Sequence, residues 1–448
     1  GDTTVRIVGS VVENPNGLSP GRLQRHTISD QWREASDFKG KVISLSLKDR
    51  GAILPGGYHA NAAYWYDWES SPGHFVSSSY YMEELPRWAK KFNEQEQADA
   101  YLSQTWEPLF PLSRYGASAP DDNPYENLLR GKESPTFPYD FEAMRKLYLG
   151  QTSFYQVLWA TPYANTLLKD FALEALKSED LGKDAITDFL CISFSTPDVA
   201  GHTYGPQSVE LQDIYLRLDR DIAHLLRVLD RKVGEEKYLL FLTSDHGTQE
   251  TVSYALDKNQ PAGIVVLPRI KQELSFALGL EYGAREWITH IGDHQIYLDH
   301  DLIQAEGVSL EEMQQWVVDF LMEQEGVRYA FAAGTLQAET FDSGIPSMLQ
   351  RGFVPSRSGD VLVAYDPGVV PTMDFRTPAT AVRGASHGSG YPADTHVPLI
   401  WRGRGIPQGT SARAVRPVDI APTLARLLHF EMTEPHSGEP LRELLNTN

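Results

Sequence analysis

The chain has 448 residues, 41% of them hydrophobic and 22% charged, a composition that supports a large buried core and excludes a mainly disordered chain. Its formal net charge of -20 argues against a protein built to grip duplex nucleic acid, which depends on clustered Lys and Arg. An anionic ligand must therefore be drawn by local charge. No run approaches the roughly 18 consecutive apolar residues of a membrane-spanning helix, and Gly1 to Ile7 have no signal-peptide layout.

The first clear element is the β-rich run Val42 to Leu47, which stops abruptly at Lys48-Asp49-Arg50. Two cations one residue apart on a strand point to the same side, so Lys48 and Arg50 could clamp a phosphoryl dianion; a solvated strand end is the competing reading. Residues 51–140 are rich in Tyr, Trp, Ser, Pro and Asn without sustained periodicity and read as an insertion over the core. Thr161-Pro162 opens a helix over Leu167 to Leu176.

A second run, Phe189 to Phe194, ends in Ser195-Thr196-Pro197-Asp198, with His202 four residues on. Its cysteine, Cys191, is the single one in the chain, leaves no internal disulfide and reads as a buried inert thiol. Leu211, Ile214, Tyr215, Leu218, Ile222, Leu225, Leu226 and Leu229 then recur at helical spacing up to Lys232-Val233-Gly234. A third run, Tyr238 to Thr243, stops at Ser244-Asp245-His246-Gly247. Strand, crossover helix and strand imply parallel pairing, and parallel sheets place ligands beyond the carboxyl ends of their strands. Further on, Ser309-x-x-Glu312 is a capping box opening Leu310 to Leu321. Residues 332–384 again lack periodicity, and 255–384 reads as a second insertion or excursion. The expected architecture is one α/β domain over 1–448, a central, mostly parallel sheet flanked by helices on both faces.

Three places could carry metal chemistry. Asp198-x-x-x-His202 offers a carboxylate and an imidazole able to close on one divalent cation. Asp245-His246-Gly247 offers a second such pair, and the loop Ser386-His387-Gly388-Ser389-Gly390 a remote imidazole. Each alone is more often a cap or turn than a ligand. Together they supply five N/O donors, close to the needs of two zinc-like ions. His290, Asp293, His294 and His300 form another His/Asp cluster, read as an ordinary strand with polar neighbours because Tyr297 and Leu298 follow.

Cys191 to Asp198 with Gly201-His202, Thr243-Ser244-Asp245-His246-Gly247, Ser386-His387-Gly388, Asp394-Thr395-His396-Val397-Pro398 and Asp419-Ile420-Ala421-Pro422-Thr423 together resemble the type I phosphodiesterase/nucleotide pyrophosphatase branch of the alkaline phosphatase superfamily. Ser46 to Arg50, with Ala52-Ile53-Leu54-Pro55-Gly56-Gly57 after it, narrows the resemblance to the bacterial phosphate-irrepressible alkaline phosphatases, over essentially the whole chain. The resemblance implies zinc-dependent hydrolysis of phosphate monoesters in the periplasm or outside the cell. Asp198, His202 and His387 would hold the first of two zinc ions, Asp245 and His246 part of the second, and Lys48 and Arg50 the nonbridging phosphoryl oxygens. A Thr or Ser would attack phosphorus to give a covalent phospho-enzyme.

The family places that nucleophile, and one more aspartate ligand, N-terminal to the Lys-x-Arg strand, where residues 1–47 contain no match. The expectation is that both belong to an N-terminal segment of the same protein. The first metal site should then be intact, the second half-built, and a crevice exposed where the first strand belongs. Two other readings compete: a phosphodiesterase or nucleotide pyrophosphatase using the same metals, and a noncatalytic metal- or carbohydrate-binding surface protein, suggested by Tyr64, Trp65, Tyr66 and Trp68.

Overall fold

The computed structural model describes residues 1–11, 17–69, 73–148 and 153–445, and its centre is the run Val42–Ser46 (β2), buried along its whole length. A strand buried on both faces cannot satisfy its backbone from solvent, so it must be flanked by other strands. With Ile7–Val8 as β1, Ala62–Asp67 as β3 and His74–Ser78 as β4, the sheet order is β1, β4, β3, β2 and then Phe189–Ser193. β2 runs parallel to β3 and to Phe189–Ser193, whereas β4 is antiparallel to both β3 and β1.

Side chains alternate across this sheet, and the two faces have different covers. Ile43, Leu45, Tyr64, Tyr66 and Phe75 belong to the main apolar cluster, together with Leu167, Phe171 and Ala172 of the helix Pro162–Ser178. Phe171 stacks on Phe75 with ring centroids 4.0 Å apart. Ala63, Trp65 and Val76 point the other way, onto Ala52 and Ile53 of the helix Asp49–Gly56 (α2). Each large side chain so buried contributes on the order of 1.5–3 kcal/mol, which fixes the register of β2 against its neighbours. The register sets Ser46 opposite Ser193, so the chain leaves both strands at one edge, towards Lys48 and towards Asp198.

Two expectations are corrected. Residues 51–140 are not laid over the core, because β3, β4 and most of α2 lie within them. Tyr64 and Tyr66 are each 1% exposed and Trp65 5%, so these three are core and offer no sugar-binding surface, while Trp68 is partly buried against the same cluster. Residues 332–384 are not irregular throughout: Val361–Tyr365 is a fully buried strand in an antiparallel sheet ordered Ile288–Gly292, Gln295–Leu298, Val361–Tyr365, Val327–Ala332. That sheet and the helices Leu267–Tyr282 and Leu310–Met322 share an apolar cluster of their own.

A third correction concerns the crossover. The helix Val209–Lys232 forms where its periodicity predicts, with the Ser208 hydroxyl accepting from the Leu211 amide at 3.2 Å. Among the described residues, however, Phe189–Ser193 pairs with β2 alone and Leu239–Thr243 with Leu399–Gly403 alone, the latter antiparallel. The order strand, helix, strand along the chain does not oblige the two strands to be neighbours. Their facing edges bound a cleft of about 2900 Å³, lined also by Leu218, Ile222 and Leu225 of the helix. Cys191 lies along this cleft, partly exposed, and desolvation by its apolar surroundings pushes its thiol up to about 11. No helix among the described residues is long and apolar enough to cross a membrane.

Away from the cleft, the buried carboxyls Glu126 and Glu210 face each other beneath Tyr139, whose hydroxyl donates to Glu210 Oε1 at 2.7 Å. Burial raises both above the ordinary carboxylate range, and for Glu126 the charge of Glu210 adds to it. The folded pair therefore keeps protons that the unfolded chain releases, and stability falls as pH rises above the ordinary Glu range. Urea unfolding between about pH 5 and pH 8 should show this fall, and Glu126→Gln should flatten it; an unchanged slope in the variant contradicts the assignment.

Candidate metal centre

The centre is built from the ends of three segments. Phe189–Ser193 leads into the helix Thr196–Tyr204, started by Pro197, with Asp198 in its first turn, where a carboxylate suits the helix dipole. His202 follows one turn later on the same face, its Nε2 3.2 Å from Asp198 Oδ1. The strand Leu239–Thr243 leads to Asp245 and His246. Gly247 is needed for close approach, since a Cβ there would meet the Ala393 carbonyl oxygen at 2.1 Å. The same packing gives the hydrogen bond from Gly247 N to Asp394 O at 2.7 Å.

His387 arrives from a loop that has no regular structure to hold it. One carboxylate oxygen of the buried Asp394 accepts from Gly388 N at 3.1 Å, Ser389 N at 2.7 Å and Gln249 Nε2 at 3.2 Å. Gln249 N in turn donates to Ser386 O at 2.9 Å. Gly388, at φ 118°, makes the turn that a side chain would strain. This clamp places His387 Nε2 3.4 Å from Asp198 Oδ1 and stacks its ring on His246 at 3.5 Å. His246 Nε2 lies 3.8 Å from the same oxygen.

Asp198 Oδ1 is thus the hub of three imidazoles, and Asp198 Oδ2 accepts from the Lys48 ammonium. Burial alone would raise this carboxyl, but the hydrogen bonds from His202, His387 and Lys48 and the lysine charge outweigh it and hold the group far below the usual carboxylate range. The Asp198 hydrogen bond raises His202. Lys48 is not on a strand as expected: β2 ends at Ser46, Lys48 caps α2 and Arg50 sits in its first turn. The Lys48 side chain reaches Asp198, whereas Arg50 is exposed on the wall of the same cleft. Asp245 stands at the rim, its side chain 85% exposed and its Oδ2 3.5 Å from His246 Nε2.

The donor set fits a divalent transition ion. His202 Nδ1 lies 2.8 Å from the Ala385 carbonyl oxygen and His246 Nδ1 2.8 Å from that of Gly247. A carbonyl oxygen can only accept, so each Nδ1 carries its proton; Nε2 of His202 donates to Asp198 while the ring is protonated, and loss of that proton leaves the Nε2 lone pair for a metal. Asp198, His246 and His387 bring three ligand atoms within 4.8 Å of one another. Elsewhere, His300 Nε2 pairs with Asp360 at 2.7 Å and His294 Nδ1 lies 3.2 Å from the Val363 carbonyl. Sequence reasoning gave no role to Asp394, although the run Asp394-Thr395-His396 was in view, because its value lies in backbone contacts that spacing does not reveal. It also overlooked a second convergence, of His26, Glu34 and His59.

Comparisons with known proteins place the chain in a family. Residues 7–390 match the family model described as type I phosphodiesterase/nucleotide pyrophosphatase. Alkaline phosphatase PhoV of Synechococcus elongatus is 36% identical over 444 residues, covering 99% of this chain and 77% of the relative. Alkaline phosphatase PafA of Elizabethkingia meningoseptica is 33% identical over 449 residues, covering 99% and 79% respectively. A crystal structure of wild-type alkaline phosphatase PafA superposes with a TM-score of 0.90 at 32% identity, over 99% of this chain and 82% of that one. The chain is an enzyme of the type I phosphodiesterase/nucleotide pyrophosphatase family, and its near full-length relatives include alkaline phosphatases.

Proposed function

We propose that this enzyme hydrolyses phosphate monoesters with two zinc ions, in the periplasm or outside the cell, by way of a covalent phospho-enzyme. The observation that carries the reading is the meeting of three imidazoles and Lys48 on the single carboxylate Asp198, with Arg50 on the same cleft wall. Asp198, His202 and His387 would hold one ion, and Asp245 and His246 would contribute to the other; the imidazole-rich donor set favours zinc over magnesium or calcium. Zinc bound there supplies Lewis-acid stabilisation of phosphoryl and leaving-group oxygens. Lys48 and Arg50 add positive charge beside the metal ligands, which suits a monoester dianion better than the single charge of a diester. The family relatives named alkaline phosphatases support the same choice.

The nucleophile, on this reading, is a Thr or Ser carried by an N-terminal extended segment of the same protein. Phe189–Ser193 and Leu239–Thr243 both line the cleft and each has an edge unpaired among the described residues, which supports this placement, because such edges present rows of N–H and C=O groups that accept an added strand. Such a strand would end beside Asp198 and His246.

Three measurements test this. Lys48→Ala combined with Arg50→Ala should lower turnover of an aryl phosphate about 100-fold or more while lowering that of a bis-aryl phosphate far less; equal losses, or a faster diester reaction in the parent enzyme, would favour the diesterase reading. Asp198→Asn should weaken zinc binding by more than the roughly 10–100-fold that loss of an outer partner costs and abolish turnover, as followed by competition with a chelator. In acid-quenched natural enzyme, phosphate should map to a Ser or Thr preceding residue 1; phosphate on a residue within 1–448 would sink the segment assignment.

A further inference from the structure

A second convergence of ligand atoms lies on the helix Ile28–Ala35 (α1), whose last turn presents Glu34. Glu34 Oε1 is 2.9 Å from His26 Nδ1 and 3.1 Å from His59 Nε2, and the two imidazole rings stand 5.1 Å apart, nearly edge to face. The three ligand atoms lie within 4.8 Å of one another. Tetrahedral zinc with bonds of about 2.0–2.1 Å has ligand-to-ligand edges of roughly 3.4 Å, so the two imidazole-to-carboxylate separations are already close to those of a loaded site. All three side chains are about one-third exposed, at 36%, 33% and 30% for His26, Glu34 and His59, which leaves an approach for the ion and room for a fourth ligand from solvent.

The frame around them is fixed independently of any ion. Asp30, fully buried, accepts from Thr27 N at 2.9 Å through one oxygen and from His59 N at 2.6 Å through the other. One carboxylate therefore ties the residue after His26 to His59 itself. Gly57, at φ 75°, brings the chain so close to Asp30 that a Cβ would meet its oxygen at 2.2 Å. Ser29 donates to the Pro55 carbonyl at 2.7 Å, and the Tyr58 hydroxyl to that of Leu23 at 2.5 Å. Backbone positions held in this way give a site that loses little entropy on binding.

The site is separate from the Asp198 centre. His59 precedes β3, whose first residue Ala62 pairs with Ile43 near the start of β2, whereas Lys48 and Asp198 follow the opposite ends of their strands. The five residues of β2 separate the two ends by roughly 15 Å at about 3.3 Å per residue.

We infer that His26, Glu34 and His59 form a structural binding site for one zinc-class divalent cation, clipping α1 to the segment before it and to the turn that enters β3. Two imidazoles and a carboxylate are the donors such an ion selects. The competing outcome is a plain hydrogen-bonded His, Glu, His cluster.

The test uses the full chain equilibrated with zinc alone, and in parallel with cobalt, against a weak chelator. Bound metal is counted by elemental analysis, and the zinc-induced rise in melting temperature is recorded. Glu34→Gln, which keeps the shape and a hydrogen-bond acceptor, and His26→Ala with His59→Ala should each bind one ion fewer per chain and lose part of that rise, while Glu34→Gln keeps its aryl phosphatase turnover. An unchanged ion count in Glu34→Gln overturns the inference even if the double variant fails to fold. The variant Asp198→Asn with His387→Ala separates the two sites. If it loses all bound metal, the α1 site is refuted while the proposed function stands. If it loses none while Glu34→Gln loses one ion, the α1 site stands and the proposed function fails.

Discussion

The structure depends on one partly buried carboxylate, Asp198, whose neighbours all favour its ionised form. Asp198 accepts from Lys48 through one oxygen and faces the Nε2 atoms of His202, His246 and His387 through the other. Removing a carboxylate from water is costly unless the lost hydration is replaced by donors or cations. Here the replacements come from four segments far apart in sequence, so the fold must hold those segments in place for the charge to be tolerated. Function and stability therefore make opposite demands on this residue: a bare cluster of like-facing imidazoles is a poor structural choice and a good ligand set.

What assembles the cluster is mostly the register of one sheet. β2 and Phe189–Ser193 end level with each other, and the alternation of Ile43 and Leu45 with the inward aromatics of β3 prevents a slip by one residue. Lys48 and Asp198 then emerge at a common edge. His387 has no strand to guide it, and its loop is held instead by backbone donation to Asp394. The centre thus combines a part set by the sheet with a part set by a single hydrogen-bonded clamp.

Much of this was legible in the sequence because apolar runs that end in charge are a local pattern. The strands before Lys48, Asp198 and Asp245, the amphipathic helix between the last two, and the imidazoles themselves follow from spacing and residue type. Other features are not legible there. The run Ala62–Asp67 reads as part of an insertion, since Tyr64, Trp65 and Tyr66 have strand chemistry but are surrounded by polar loops that mask the period. The apolar run before them puts Lys48 and Arg50 on a strand, whereas the chain turns helical at Asp49; a charged residue at a strand end does not itself say which way the backbone continues. Strand, helix and strand imply a parallel direction for Phe189–Ser193 and Leu239–Thr243, but direction does not specify adjacency. Asp394 and the His26, Glu34 and His59 group were invisible for a common reason: their meaning arises from contacts between segments.

The central claim is that Asp198 and its imidazoles are a metal site and not merely a hydrogen-bonded cluster. Anomalous difference density collected at the zinc absorption edge from crystals of the zinc-loaded protein tests it directly. A peak within bonding distance of Asp198, His202 and His387 is the predicted result. Zinc absent from that position while bound elsewhere on the chain would contradict it.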